Sequence, residues 1–394
     1  MKRPAPWRRL LPACAALAAV ALAPGPARAE IALSANDNKA VLENGVVRIL
    51  RDAPPDTLSV IDLSASPPAL RAEIQVPASV VGPPLSVALT PDERLALVTA
   101  NQRPDPADPA KLIPGHSMTV VDLTANPPRI AATLPTGAGP AGVSINRAGT
   151  LALVANRAEG TVSVYRIHGG QVTSAGKVEI GPVSSEVSHV AFTPDGRFAL
   201  VTRNGDHMVN VLQVDGEKVV KLDREITTGV RPYALAVTPD GRHAVVGNLG
   251  RGTGDADTVS LIDLTRQPFR IVDTASVGQT PEGVAASPDG RHVAVTVMNG
   301  SNKPAGSPFH GPGLVKLLRI EGGRLQVVSE ARVGTWPQGV AFSADGRTLL
   351  VGNMVEREVQ ILRVTEDGKL KDGGTRIKVG GGTAALRVAE RAAR

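Results

Sequence analysis

"SHVAFTPDGRFALVTRNGDH", residues 188–207, carries the reading of the fold. Two short apolar runs, HVAF and FALVT, flank Asp195-Gly196. An Asp-Gly pair between alternating runs is a strong local hairpin signal. Glycine supplies the positive φ, and the Asp side chain caps the turning backbone. Pro-Asp-Gly-Arg returns at 239–242 and 288–291, with ADGR at 344–347 and PDER at 91–94. Its recurrence between strand-like runs marks it as punctuation rather than as a catalytic signature.

Around each turn lies the same unit. With its first position as anchor, the series is Pro91, Arg147, Pro194, Pro239, Pro288 and Ala344. Before each anchor runs a short alternating segment, such as GVSIN, HVAFT and GVAFS. A second apolar run follows (LALVANR, FALVTRN, LLVGN), then a third (TVSVYRI, TVSLIDL, EVQILRV), then a fourth ending in glycine (KVEIG, TASVG, RIKVG). These β-branched, period-two runs between Gly, Pro, Asn and Asp describe a four-stranded antiparallel meander. The loose ends complete a seventh unit: IALSAN (31–36), TLSVIDL (57–63) and LRAEIQV (70–76) lack a first strand, which GGTAALRVA (381–389) provides. Closing a ring with both chain ends removes an exposed sheet edge. The expectation is an all-β, seven-bladed β-propeller: one domain over residues 30–394 without a linker.

Residues 1–29 stand apart. Lys2, Arg3, Arg8 and Arg9 precede an Ala/Leu-rich core and an Ala27-Arg28-Ala29 motif. That is the layout of a secretory signal peptide cleaved before Glu30, which implies a periplasmic protein with no membrane span once cleaved. Cys14 is the only cysteine, so the mature chain has no disulfide or thiol nucleophile. Losing the leader leaves 38 basic against 37 acidic residues, so no nucleic-acid partner is expected. A small molecule or a periplasmic protein is the expected partner, and the chain is expected to be a monomer.

The runs Leu153-Val154-Ala155-Asn156, Val245-Val246-Gly247-Asn248 and Leu350-Val351-Gly352-Asn353, with their GVAFSADGR and TVSLIDL flanks, resemble the YVTN repeat. The resemblance spans residues 31–389. It points to the YVTN/YncE-like propeller superfamily, which includes lactonases of the 6-phosphogluconolactonase type. It implies that His189, shortly before the Pro-Asp-Gly turn, matches a site histidine of such lactonases. Glu282 sits one residue out of register with their glutamate, and Arg231-Pro232-Tyr233 replaces their Pro-Arg-His.

In a propeller the loops entering the first strand and those joining strands two and three ring one mouth of the central channel. Aligning the repeats gives the ring. Eight residues before the anchor stand Pro83, Gly139, Glu186, Arg231, Thr280, Trp336 and Gly382; six before stand Leu85, Ala141, Ser188, Tyr233, Glu282, Gln338 and Ala384. The large or polar exceptions fall in four consecutive units, and repeat positions that break a rule are where function is expected. Glu186, Tyr233, Trp336 and Gln338 are candidate ligand-binding residues, joined from the strand-two loops by Arg157, Arg203 and His207. Glu282 or His189 as general base and Arg231 as carbonyl polariser would serve a hydrolase. The loops 101–116, 248–257 and 299–313 are long enough to be functional inserts.

Gly137–Gly142 matches G-x-G-x-x-G but precedes a strand, which removes the dinucleotide reading. Asp255 and Asp257, two apart in a Gly-rich loop, form the one place offered for a cofactor, a Ca²⁺ ion. Two readings stand: a propeller that binds a small molecule or a protein at the channel mouth, and a lactonase-like hydrolase at the same face.

Overall fold

The computed structural model describes residues 1–3 and 30–390, so most of the expected leader lies outside the described residues. Seven four-stranded antiparallel sheets form a ring. Their innermost strands are Gly382–Val388 (blade 1), Val87–Leu89 (blade 2), Pro140–Ile145 (blade 3), Val187–Phe192 (blade 4), Pro232–Val237 (blade 5), Pro281–Ala286 (blade 6) and Pro337–Phe342 (blade 7). Each packs against the innermost strand of the next blade, and blade 7 meets blade 1. Blade 1 joins both chain regions: Ile31–Asp37 pairs with Gly382–Val388 on one side and Thr57–Asp62 on the other. No helix among the described residues is long and apolar enough to cross a membrane.

The turns act as punctuation, through a specific hydrogen-bond set. Gly196, Gly241, Gly290 and Gly346 all sit near φ +70°. The preceding Asp accepts from the backbone N–H two residues on, as in Arg197 N to Asp195 Oδ1 at 3.1 Å. It also accepts from the Ser or Thr before it, as in Thr193 Oγ1 to Asp195 Oδ1 at 2.6 Å. The same pair recurs at Asp240, Asp289 and Asp345. Every carboxylate of this series is therefore committed to its own turn.

Apolar residues alternate into the spaces between blades. Leu153, Val164, Val190 and Val201 pack between blades 3 and 4, and Val245, Val259, Val284 and Val295 between blades 5 and 6. Valine and alanine dominate because adjacent sheets meet face to face and β-branched side chains suit a pleated surface.

Two features arose that the repeat pattern did not announce. Ala40–Glu43 and Val46–Ile49 form a hairpin between the first two strands the chain lays down in blade 1. Its turn, Asn44-Gly45, has positive φ at both residues, so the Asn-Gly signal was present in the sequence. The long 101–116 loop holds a second small hairpin, Gln102–Pro104 with Leu112–Pro114.

Candidate functional site

The mouth is shaped by one backbone device used five times. In blades 3 to 7 the residue eight before the anchor adopts the left-handed conformation: Gly139 (φ +65°), Glu186 (+48°), Arg231 (+59°), Thr280 (+58°) and Trp336 (+53°). Its carbonyl accepts from a residue just beyond the second strand, as in Leu249 N to Arg231 O at 2.9 Å and Met298 N to Thr280 O at 3.0 Å. The next residues form a bulge in which the strand register shifts, between Pro232 and Leu235 and between Pro281 and Val284 for example. A bulge re-aims side chains that regular pairing would place elsewhere. Here it gathers Tyr233, Glu282 and Gln338 at the channel. Only blade 3 fills the left-handed position with glycine. The other four carry a Cβ there at a conformational cost of about 1–3 kcal/mol each, which the surrounding hydrogen bonds must hold in place.

Threonines on alternate second strands satisfy the bulges. Thr296 Oγ1 accepts from Gly283 N at 2.7 Å and donates to Gln338 O of the next blade at 2.6 Å. Thr202 Oγ1 likewise accepts from His189 N at 3.0 Å and donates to Tyr233 O at 3.0 Å. The bulges are thus linked blade to blade, which fixes the mouth side chains relative to one another.

Two guanidinium groups converge on Glu186. Arg157 Nη2 lies 2.6 Å and Arg231 Nη2 3.5 Å from its Oε2. Asn204 Oδ1 bridges the pair, accepting from Arg231 Nε at 3.0 Å and Arg157 Nη2 at 3.4 Å. Arg157 also donates to Ser188 Oγ and stands 5.8 Å from the centre of the Tyr233 ring, a cation–π contact. His207 holds the arm of this cluster, its Nδ1 accepting from Arg231 N at 3.1 Å.

Beneath the arginines lies Glu282, 5% exposed. Burial pushes its carboxyl up to about 8, with the facing Trp336 indole and the Arg231 charge opposing only in part. The protonated acid therefore predominates at neutral pH. Glu282 Oε2, Trp336 Nε1 and Gln338 Oε1 are buried atoms without a hydrogen-bond partner. The indole faces Glu282 without reaching good hydrogen-bond geometry. Burial raises the Tyr233 phenol well above its ordinary range, and the neighbouring Glu282 raises it further.

The remaining sequence candidates are placed differently. His189 is 1% exposed, both ring nitrogens lack partners, and burial together with Arg387 holds it neutral well below its ordinary value. Its ring lies against Gly142 of blade 3 and within reach of the Arg387 charge. Arg203 pairs with Asp206 and Glu225 and bonds Asn210. It stands where Asn156, Asn248 and Asn353 bond third-strand side chains in other blades, so it serves strand joining rather than the mouth. Asp257 caps Thr280 N at 2.9 Å, and Asp255 accepts from Thr253 Oγ1 at 2.8 Å. Among the described residues no group of three or more His, Cys, Asp or Glu is arranged to hold a metal ion. Asn204 and Ser188 were missed; Ser188 stood in the aligned ring, and Asn204 had no distinguishing signal among many strand-end asparagines.

Inserts roof the mouth. Gly45, at the hairpin tip, lies so close to Pro304 that a Cβ there would fall 2.3 Å from its Cδ. A Cβ on Gly254 would meet the Phe309 ring at 2.5 Å, and Lys303 Nζ donates to Gly252 O at 2.7 Å. The hairpin root is set by buried Lys39, which pairs with Asp56 at 2.7 Å and Asp37 at 3.2 Å. Ala40 and Ile49 at that root pack with Trp336, Met354 and Ala384. The indole is therefore walled in from the hairpin side.

This architecture is shared with solved lactonase-like propellers. A candidate 6-phosphogluconolactonase of Bacteroides uniformis superposes with a TM-score of 0.70 at 16% identity, covering 92% of this chain and 100% of that one. Its counterpart from Bacteroides fragilis gives 0.70 at 16%, covering 93% and 99%. The periplasmic gluconolactonase of Pseudomonas aeruginosa gives 0.67 at 18%, covering 91% and 99%. The likeness establishes the fold. No family's sequence profile and no curated protein matches the chain.

Proposed function

We propose that the channel mouth binds a small, hydroxyl-bearing anion of the aldonate or aldonolactone class in a periplasmic protein. One observation carries the reading. Buried polar atoms of Glu282 and Trp336, from adjacent blades, face each other beside Arg231, one of two guanidinium groups that share a single carboxylate. Buried polar groups are normally paired, and unpaired ones that point one way mark a place where a ligand's hydroxyls complete the bonding. With Glu282 protonated, Arg157 and Arg231 against Glu186 leave one net positive charge, which suits an anion. The three neighbours named as lactonases support the chemical class.

A second reading, lactone hydrolysis, rests on a separate feature. A carboxyl held near 8 exchanges a proton close to neutral pH, as a general acid or base requires. It would act with Arg231, whose charge already acts on the carboxyl.

The test uses Trp7→Phe protein, in which Trp336 is the only indole. Gluconate, 6-phosphogluconate and glucono-δ-lactone are titrated while Trp336 emission is recorded, and proton release from the lactone is followed in parallel. Saturable quenching that Arg157→Met abolishes supports binding. Proton release above background that Glu282→Gln removes adds catalysis. No response to any of the three sinks both readings. Amino-terminal sequencing of the protein recovered from the periplasm checks the expected cleavage before Glu30.

A further inference from the structure

The opposite mouth of the channel, on the face of the Asp-Gly turns, holds a cavity of about 160 Å³. Leu85 lies at its inner end, and Phe192, Val237, Val284, Phe342 and Val388 form apolar walls. That volume suits an apolar group of about six carbons, since a cavity of ~150 Å³ admits benzene. Five charged side chains stand around it, and four have assigned work. Glu30 accepts from Ala344 N at 2.5 Å, Glu93 accepts from Ile31 N at 3.4 Å, and Arg387 pairs with Glu390.

Arg147 is the fifth. In the repeat its position belongs to Pro91, Pro194, Pro239, Pro288 and Ala344, so a long cation here breaks the pattern. The side chain reaches from blade 3 past blade 4 to blade 5, where Nη2 donates to Pro239 O at 2.6 Å. It is half-buried, and Glu390 and Asp240 act on its charge from beyond ion-pair distance. It also borders an open groove between blades 4 and 5 lined by Pro194, Arg197 and Pro239. A half-buried guanidinium bonded to one carbonyl keeps most of its five donors for another partner, and its planar fork matches a carboxylate.

We propose that this cavity is a second binding site, selective for small amphipathic monocarboxylates whose apolar group of about five to seven carbons fills the channel while the carboxylate meets Arg147. The site is independent of the mouth on the other face. Its apolar shaft disfavours the polyhydroxylated anions suited there, because a hydroxyl buried among Leu85, Val237, Val284 and Phe342 would lack a partner.

The experiment is calorimetric titration of the full chain with hexanoate and phenylacetate, beside hexanol and 2-phenylethanol. Arg147→Ala copies the residue of blade 7 and so is compatible with the turn. The carboxylates are expected to bind at millimolar concentration or below. Arg147→Ala, and each alcohol, are expected to lose about tenfold or more, the size of a charge-assisted hydrogen bond. Arg157→Met is expected to change nothing. The proposal is overturned if neither carboxylate binds, if Arg147→Ala binds as well as the parent, if the alcohols bind equally, or if Arg157→Met removes the binding.

Discussion

Replacing Glu282 by glutamine should make the protein more stable at neutral pH and leave it unchanged in acid. The cause is linkage. An unfolded glutamate titrates at 4.5, and burial raises the folded group to about 8. Below the lower value both states hold the proton and nothing is lost. As pH rises past it, the unfolded chain gives up a proton that the folded chain retains, so the fold loses stability. The loss stops growing once the folded carboxyl ionises near 8. Each pH unit between the two values costs about 1.4 kcal/mol. Glu282 therefore costs about 3 kcal/mol at pH 7 and about 4 kcal/mol at pH 8, against a typical total of about 5–15 kcal/mol. Glutamine keeps the shape and has no proton to lose. Urea unfolding of both proteins from pH 4 to 9 reads the effect. The two curves should coincide near pH 4 and diverge steadily up to about pH 8, with Glu282→Gln the more stable. Parallel curves across that window would mean that the carboxyl is ionised in the folded protein, and the protonated acid assigned to the mouth would go with it.

Other perturbations follow from the same architecture. Thr280 is a β-branched residue at φ +58° with no side-chain hydrogen bond among the described residues, so Thr280→Gly should stabilise by about 1 kcal/mol in urea. Thr296→Val removes the hydroxyl that serves both Gly283 N and Gln338 O, and should cost about 1–3 kcal/mol. It should also weaken ligand quenching of Trp336, since Gln338 loses its anchor. Lys39→Met leaves Asp37 and Asp56 facing each other in a buried site, which should cost about 3–5 kcal/mol; a shift below 1 kcal/mol in the unfolding midpoint energy would show that the triad is not what sets the hairpin root.

The fold was readable because its cause is local and repeated. Turn chemistry at each Asp-Gly and alternation in each strand state the blade four or five times over, and errors at one copy are corrected by the others. The predicted blade-1 strands fall within a residue or two of those observed, Ile31–Asp37, Thr57–Asp62, Ala69–Gln75 and Gly382–Val388. The site was readable only where a side chain departs from the repeat. Glu186, Arg231, Tyr233, Glu282, Trp336 and Gln338 were named on that ground, and the structure brings them to one mouth. His189 was named on the same ground and by resemblance. Whether a bulged residue points up to the mouth or down among glycines depends on backbone geometry two residues away, which alignment does not report. Arg203 failed to join the mouth for a related reason: it substitutes for a strand-joining asparagine, so its departure from the repeat is a change of structural partner.

That last contrast separates two kinds of exception in a repeat protein. Where the replaced residue has a job inside its blade, as the asparagine aligned with Arg203 does, the newcomer inherits the job and finds partners nearby. Where the replaced residue is small and idle, the newcomer has no internal task, and its polar atoms stay unpaired or face the channel. Glu282 and Gln338 stand where blades 1 to 3 have Ala384, Leu85 and Ala141, and both retain a buried atom without a partner. Arg147 stands where other blades have proline or alanine, and its guanidinium bonds a single carbonyl. By this criterion the chain carries one such place at each end of the channel, and His189, with both ring nitrogens unpaired, is a third exception of the same kind. The two ends differ in kind: the first gathers donors and acceptors around a protonated acid, and the second offers an apolar shaft under one cation. A ligand that satisfied both sites would contradict the distinction, because the hydroxyls needed at the first would be stranded in the second.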